Sequence, residues 1–181
     1  MRNIKTVLIL DMGDTGNESE AIRQALEWFN YRVLRFCVGR PNDFIEVLSG
    51  EYGVDFDYLI ISCHGGDDGE FLMPELGEEI YLQDEPREHF GAEHIKKYNK
   101  LQNKIIISTG CETGSNNGMN NVFTTSKNKF IAPIDGVDGN SVLPYLTALF
   151  YLLTQDKHDL QSAHKKASSL DKETKLFKLF E

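Results

Sequence analysis

Two short apolar runs in this sequence end in residues that can pass a proton between them. One, Tyr58-Leu59-Ile60-Ile61, leads through Ser62-Cys63 to His64 and then Gly65-Gly66; the other, Ile105-Ile106-Ile107, leads through Ser108-Thr109-Gly110 to Cys111 and on to Gly114. A cysteine attacks a carbonyl as its thiolate, and an adjacent imidazole takes the thiol proton and later returns it to the leaving amine. Gly65 and Gly66 permit a sharp turn, so the Gly65 N–H and the Cys111 N–H can both face the oxygen on which charge develops. A strand-to-helix turn at Gly110 to Gly114 would add a helix N-terminus that favours thiolate over thiol. The expected chemistry is thiol acyl transfer with Cys111 as nucleophile and His64 as general base, using no cofactor and no metal.

Taken singly, a cysteine is commonly a small buried hydrophobe and a histidine a satisfied structural residue. Two apolar runs that each end in one member of a dyad and are each followed by glycine are a rarer coincidence. Cys63 is the rival nucleophile, but neighbouring residues of a strand point to opposite faces, which turns it into the core. Cys37 has no histidine near it in sequence, and a zinc site of Cys63, His64 and Cys111 would require adjacent residues to converge on one ion. The three cysteines cannot all pair, and reduced thiols are expected.

The elements that must position the dyad follow from periodicity. Val7 to Leu10 reads as a buried strand followed by a polar loop, Asp11 to Asn17. Ile22, Ala25, Leu26 and Phe29 then recur at helical spacing behind the cap-competent Asn17 and Ser19. Arg32 to Val38 alternates as a second strand, Pro41 can open a second helix to about Leu48, and Tyr58 to Ile61 makes a third strand ending at His64. Short strands are expected at Phe71 to Met73 and Ile80 to Leu82, with a helix over Ala92 to Tyr98. Ile105 to Ile107 and Phe130 to Ile134 give a fourth and a fifth strand. A helix over Ser141 to Leu153 and another with Leu160, Ala163, Ala167 and Leu170 on one face close the chain. Strands alternating with helices predict an α/β three-layer sandwich, a mostly parallel sheet covered on both faces, with chemistry beyond the carboxyl ends of its strands. If the third and fourth strands are parallel neighbours, those ends lie about 4.8 Å apart and His64 faces Cys111.

A length of 181 residues suits a single domain over 1–181, and 40% hydrophobic with 26% charged residues is a globular composition. The net charge is −9 with scattered basic residues, which excludes a nucleic-acid footprint and suits cationic substrates or partners. Val142 to Leu153 is too short for a membrane span, and the N-terminus runs directly into a strand without room for a signal peptide, so a cytoplasmic protein is expected. The loop Asp11-Met12-Gly13-Asp14-Thr15 lacks both the phosphatase Asp spacing and the Gly-x-Gly-x-x-Gly of a pyrophosphate cradle. His89, His94, His158 and His164 read as surface residues, and Asp67, Asp68 and Glu70 as an acidic turn rather than a calcium site.

The string Ile60-Ile61-Ser62-Cys63-His64-Gly65 followed by Ile105 to Gly114, with its Cys111-Glu112-Thr113-Gly114, resembles the two signature strands of the CHAT domains. These are caspase-like cysteine peptidases of the group that includes separase, clostripain and the metacaspases. The resemblance continues through Phe130 to Asp138, Phe150 to Leu153 and Ala163 to Ser168, covering roughly Tyr58 to Ser169. The 47-residue gap from His64 to Cys111 fits the spacing of about 50 residues typical of caspases. The resemblance implies a caspase-type fold, His64 and Cys111 as a dyad without an obligatory third residue, and a protein or peptide substrate. It also implies that a carboxylate in the loop after the last strand holds a basic P1 side chain; Asp138 sits at the matching point and Asp135 is the second choice. Either could instead cap the helix starting near Ser141. Gly110 departs from the family, which more often has Ala there, and so does the acidic Gly66-Asp67-Asp68-Gly69. Beside the peptidase stand two other readings: a catalytically silent caspase-like module that binds a regulatory protein partner, and a small-molecule binder of flavodoxin-like topology.

Overall fold

The computed structural model describes residues 4–181. Its centre is a six-stranded sheet in the order β2-β1-β3-β4-β5-β6: β1 (Thr6–Met12), β2 (Arg32–Val38), β3 (Tyr58–Ser62), β4 (Ile105–Ser108), β5 (Lys129–Pro133) and β6 (Phe177–Phe180). The first five strands run parallel and β6 runs antiparallel to β5. β1, β3 and β4 are nearly continuous Val/Ile/Leu runs because both faces of the sheet are covered there.

Helices α2 (Pro41–Ser49), α3 (Ala92–Tyr98) and α4 (Asn117–Thr124) supply residues to the core on one face; α1 (Glu18–Trp28), α5 (Gly139–Thr154) and α6 (Leu160–Ala167) supply the other. Alternation along β3 divides its side chains accordingly. Leu59, Ile61 and Cys63 join Phe44, Phe71, Phe90 and Phe123, whereas Tyr58 and Ile60 join Ile22, Leu26, Leu149 and Phe150. The architecture is the expected three-layer α/β sandwich with a mostly parallel sheet.

From β1 the chain passes to β2 on one side and then returns past β1 to β3 on the other, so the topological switch point lies between the carboxyl ends of β1 and β3, where open α/β sheets gather their ligands. Pairing of Ile61 with Ser108 confirms that β3 and β4 are parallel neighbours, which brings the residues beyond their ends together.

Several expectations are corrected. Phe71 makes only single bridges, to Gly65 and to Phe90, and Ile80 to Leu82 is not a strand; Ile80 and Leu82 are exposed. This segment is held by an ion pair instead. The buried Glu85 carboxylate accepts from Arg40 Nε (3.0 Å) and Nη2 (2.9 Å) and from the Asn42 and Leu82 N–H groups. A long turn-rich segment thus stays ordered by satisfying one buried charge completely. Leu170 lies beyond α6 and is exposed. The edge strand β6, four residues ending one short of the terminus, was not expected.

Candidate active site

His64 and Cys111 line the same cavity, of about 220 Å³, at the carboxyl end of the sheet. His64 is carried two residues past β3 and Cys111 three past β4. Its other walls are Asp14 and Thr15 of the β1–α1 loop, Glu18, Cys63, Thr109, and Val137, Gly139 and Val142 around the start of α5. The imidazole Nε2–H donates to the Asp14 carbonyl at 2.9 Å, across the switch point. With the proton fixed on Nε2, a neutral ring leaves Nδ1 as a lone-pair acceptor. That is the form a base needs.

The backbone under the dyad requires glycine. A Cβ on Gly65 would fall 1.8 Å from the Cys111 carbonyl oxygen and 3.0 Å from its nitrogen. No side chain fits, and the Gly65 and Cys111 backbones lie side by side. The Gly66 N–H is committed to the Glu70 carbonyl (2.9 Å), whereas among the described residues neither the Gly65 nor the Cys111 N–H donates to a backbone acceptor. Gly110 is equally enclosed, since a Cβ there would meet Cys63 Sγ at 2.9 Å and Thr113 Cγ2 at 3.1 Å. The Cys63 sulfur occupies the room that a methyl at position 110 would need. Directly after Cys111, Glu112 adopts φ = +60°, a left-handed conformation uncommon for a residue with a Cβ. It bends the chain so that Glu112 N–H reaches the Asp135 carbonyl (3.2 Å) and Gly114 N–H the Pro133 carbonyl (2.7 Å).

The turn does not open a helix at Cys111. Helix α4 begins only at Asn117, capped by the Asn116 side chain, so the turn after Cys111 supplies no helix N-terminus to the sulfur. The donor at the thiol is instead the Val137 N–H, 3.4 Å from Sγ, and the thiol faces the Val137 carbonyl at 3.6 Å.

Cys63 lies in the core as expected, beside Ser108 Oγ at 3.9 Å, and burial pushes its thiol up to about 12, which keeps it protonated and inert. The carboxylate expectations fare differently. Asp138 is the N-cap of α5, accepting from the Asn140 N–H at 3.1 Å, and is exposed; Asp135 is exposed and accepts from the Gly136 N–H at 2.8 Å. Neither is among the residues lining the cavity.

Glu18 does line it, and sequence reading passed over it. It is the first residue of α1, half-buried, and its Oε1 accepts from Ser62 Oγ (2.7 Å) and Thr109 Oγ1 (2.8 Å). Those hydroxyls stand two residues before His64 and two before Cys111, respectively. Among the described residues Oε2 has no protein donor. Desolvation raises its pKa above the usual glutamate range, against the two hydroxyl donors and the nearby His64. The available signal was positional: an acidic residue opening a helix at the carboxyl edge of the first strand.

No family model and no curated protein matches the chain. Among solved structures, a short-chain flavodoxin associated with a non-canonical PDU bacterial microcompartment is similar at a TM-score of 0.36 and 16% identity, over 70% of this chain and 78% of that one. Among the described residues, no helix is long and apolar enough to cross a membrane.

Proposed function

We propose that the chain is a cysteine peptidase of the caspase-like type, in which Cys111 attacks a peptide carbonyl and His64 carries the proton to the leaving amine. The observation that carries this reading is the shared cavity at the ends of two adjacent parallel strands, with His64 Nε2–H tied to the Asp14 carbonyl so that Nδ1 is the acceptor. The tetrahedral oxyanion is received by the Gly65 and Cys111 N–H groups. The resemblance to CHAT domains through Cys111 to Gly114 supports the same assignment.

The substrate class follows from charge. Glu18 presents a free Oε2 in a cavity of about 220 Å³ and so is better placed than Asp138 or Asp135 to receive a basic P1 side chain. Between Gly65 and Phe90 the chain carries nine acidic residues against Arg87 alone, so this segment, starting directly after His64, accounts for −8 of the net −9. With Glu85 buried against Arg40, the segment's remaining acidic residues form a surface that attracts cationic peptides from a distance. It also disfavours an anionic cofactor on the neighbouring β1–α1 loop, where Asp11, Asp14 and Glu18 stand.

The test combines an Arg-based acylating inhibitor with the intact mass of the protein and of Cys111→Ala. One covalent adduct on the wild type and none on Cys111→Ala or His64→Ala is expected; labelling that persists in Cys111→Ala would end the nucleophile assignment. One observation favours the silent, partner-binding module: Val137 already sits against Cys111 Sγ. That reading takes the lead if no basic, acidic or apolar peptide is cut.

A further inference from the structure

The loop Ile134–Asp138 joins β5 to α5 and lies on the nucleophile, with the Val137 N–H 3.4 Å and its carbonyl 3.6 Å from Cys111 Sγ. A carbonyl carbon approaching the sulfur must enter the space around which this peptide group stands. The two ends of the loop are not held by their own elements alone. Ile134 N–H donates to the Leu176 carbonyl at 3.1 Å, and Asp138 N–H donates to Glu173 Oε2 at 3.2 Å. Both acceptors belong to one short stretch of chain between α6 and β6.

That stretch is itself preformed. Asp171 accepts from the Thr174 N–H (2.8 Å) and hydroxyl (2.9 Å), while Thr174 Oγ1 accepts from the Asp171 N–H (3.1 Å), fixing the turn that leads into a 3-10 segment, Thr174–Leu176. Thr174 is fully buried, and Phe177, the first residue of β6, stacks on the buried Tyr145 of α5 at 4.1 Å between ring centroids. Among the described residues Glu173 forms one ion pair, with Lys172 Nζ at 3.7 Å, and that lysine is nearly fully exposed.

We infer that the segment Asp171–Leu176 is a latch: through the Glu173 carboxylate and the Leu176 carbonyl it holds the β5–α5 loop with Val137 on Cys111, and the thiol becomes accessible when the latch releases. The inference rests on the peptidase reading only in taking Cys111 as the reactive thiol. Because Glu173 acts through the loop and touches no reacting atom, it is a positioning residue. Its release changes how often the thiol is open, not the chemistry at the thiol.

The experiment is the alkylation rate of Cys111 in the full chain by iodoacetamide at fixed pH, followed by peptide mass spectrometry that separates Cys111 from the exposed Cys37 and the buried Cys63. Glu173→Ala removes one charge-assisted acceptor and Thr174→Val dissolves the turn that presents it. Each is expected to raise the Cys111 rate by about tenfold, the population change that loss of one such bond produces. Lys172→Ala and the Cys37 rate should not change. Wild-type Cys111 rates in both latch variants, with cooperative unfolding retained, would overturn the inference. The peptidase reading fails separately: a pH profile of Cys111 alkylation that His64→Ala leaves unmoved removes the dyad but not the latch.

Discussion

Glu18→Gln separates a specificity role from a structural one. Both hydroxyl donors to Glu18, Ser62 Oγ at 2.7 Å and Thr109 Oγ1 at 2.8 Å, reach Oε1, and an amide oxygen in the same place accepts both. What the substitution removes is the charge, and with it the partner offered to a guanidinium or ammonium through Oε2. A hydrogen bond to a charged group contributes about 1.5–3 kcal/mol, so kcat/KM for an Arg or Lys P1 substrate should fall by roughly 10- to 150-fold relative to an isosteric neutral P1. Stability should move the other way. Burial raises the folded-state pKa of Glu18, so the stabilisation of the protonated form is complete below the unfolded-state value and is lost as pH rises through the folded-state value. At pH 7.5 the wild type bears the cost of a desolvated carboxylate that the amide does not, and the Tm advantage of Glu18→Gln should widen between pH 4 and 8. Paired fluorogenic peptides and thermal melts read the two effects. Equal losses on basic and neutral peptides, or a Tm that drops at pH 7.5, would show that Glu18 is a structural acceptor and not the P1 carboxylate. Asp138→Asn is the companion measurement: it should keep the P1 preference and alter only the cap of α5, by about 1 kcal/mol or less.

Gly110→Ala should destabilise by about 1–3 kcal/mol in urea melts because its methyl meets Cys63 Sγ, and Cys63→Ala should restore most of that loss, a coupling that additive values would disprove. Gly65→Ala places a methyl on the Cys111 carbonyl and should abolish acylation by the Arg inhibitor even where circular dichroism reports a folded sheet; retained labelling would remove Gly65 from the oxyanion hole. His164, half-buried with Nδ1 2.8 Å from the Tyr145 hydroxyl, has its pKa lowered, first by burial and then by Lys178. Its contribution to stability is therefore present above the unfolded histidine pKa and lost as pH falls through the folded-state value, and His164→Gln should flatten the pH dependence of Tm between 7 and 5. Cleavage of basic peptides should slow as salt rises from about 20 to 300 mM, since the Debye length then shrinks to several ångströms and the acidic Gly65–Phe90 segment no longer steers them.

What could be read in advance was set by local periodicity and by pairing across one sheet. The runs at Val7, Tyr58, Ile105 and Phe130 are strands buried over most of their length, and a parallel sheet tells on sequence because both faces demand apolar side chains. His64 and Cys111 line one cavity because β3 and β4 are neighbours, which short α/β connections make the default. β6 escaped notice because Phe177-Lys178-Leu179-Phe180 is only four residues long and pairs antiparallel at an edge, where burial is partial. Ile80 to Leu82 misled because its apolar residues are exposed on a segment fixed by the Arg40–Glu85 pair, an interaction across 45 residues with no periodic trace. Glu18 was hidden for the same reason: its partners lie 44 and 91 residues away, and only the sheet brings them to it.

The departures from locally comfortable structure divide into two kinds. Glu85 is a buried charge, but four hydrogen bonds surround it and the result is an ordered loop. Cys63 is a buried thiol, and its raised pKa leaves it neutral in the core. The others are not relieved in this way: Glu18 keeps a desolvated carboxylate with an unengaged oxygen, Glu112 holds a left-handed backbone with a Cβ, and Gly65 gives up every side-chain contact to lie on Cys111. These three lie within or against one cavity at the strand ends. Folding alone would favour removing each of them, by Glu18→Gln, by glycine at 112 and by a roomier turn at 65. Left-handed backbone is not confined to the strand ends, since Ser126, Lys127 and Lys157 also adopt positive φ; what is particular to the cavity is the unengaged carboxyl oxygen of Glu18 and the close approach of Gly65 to Cys111.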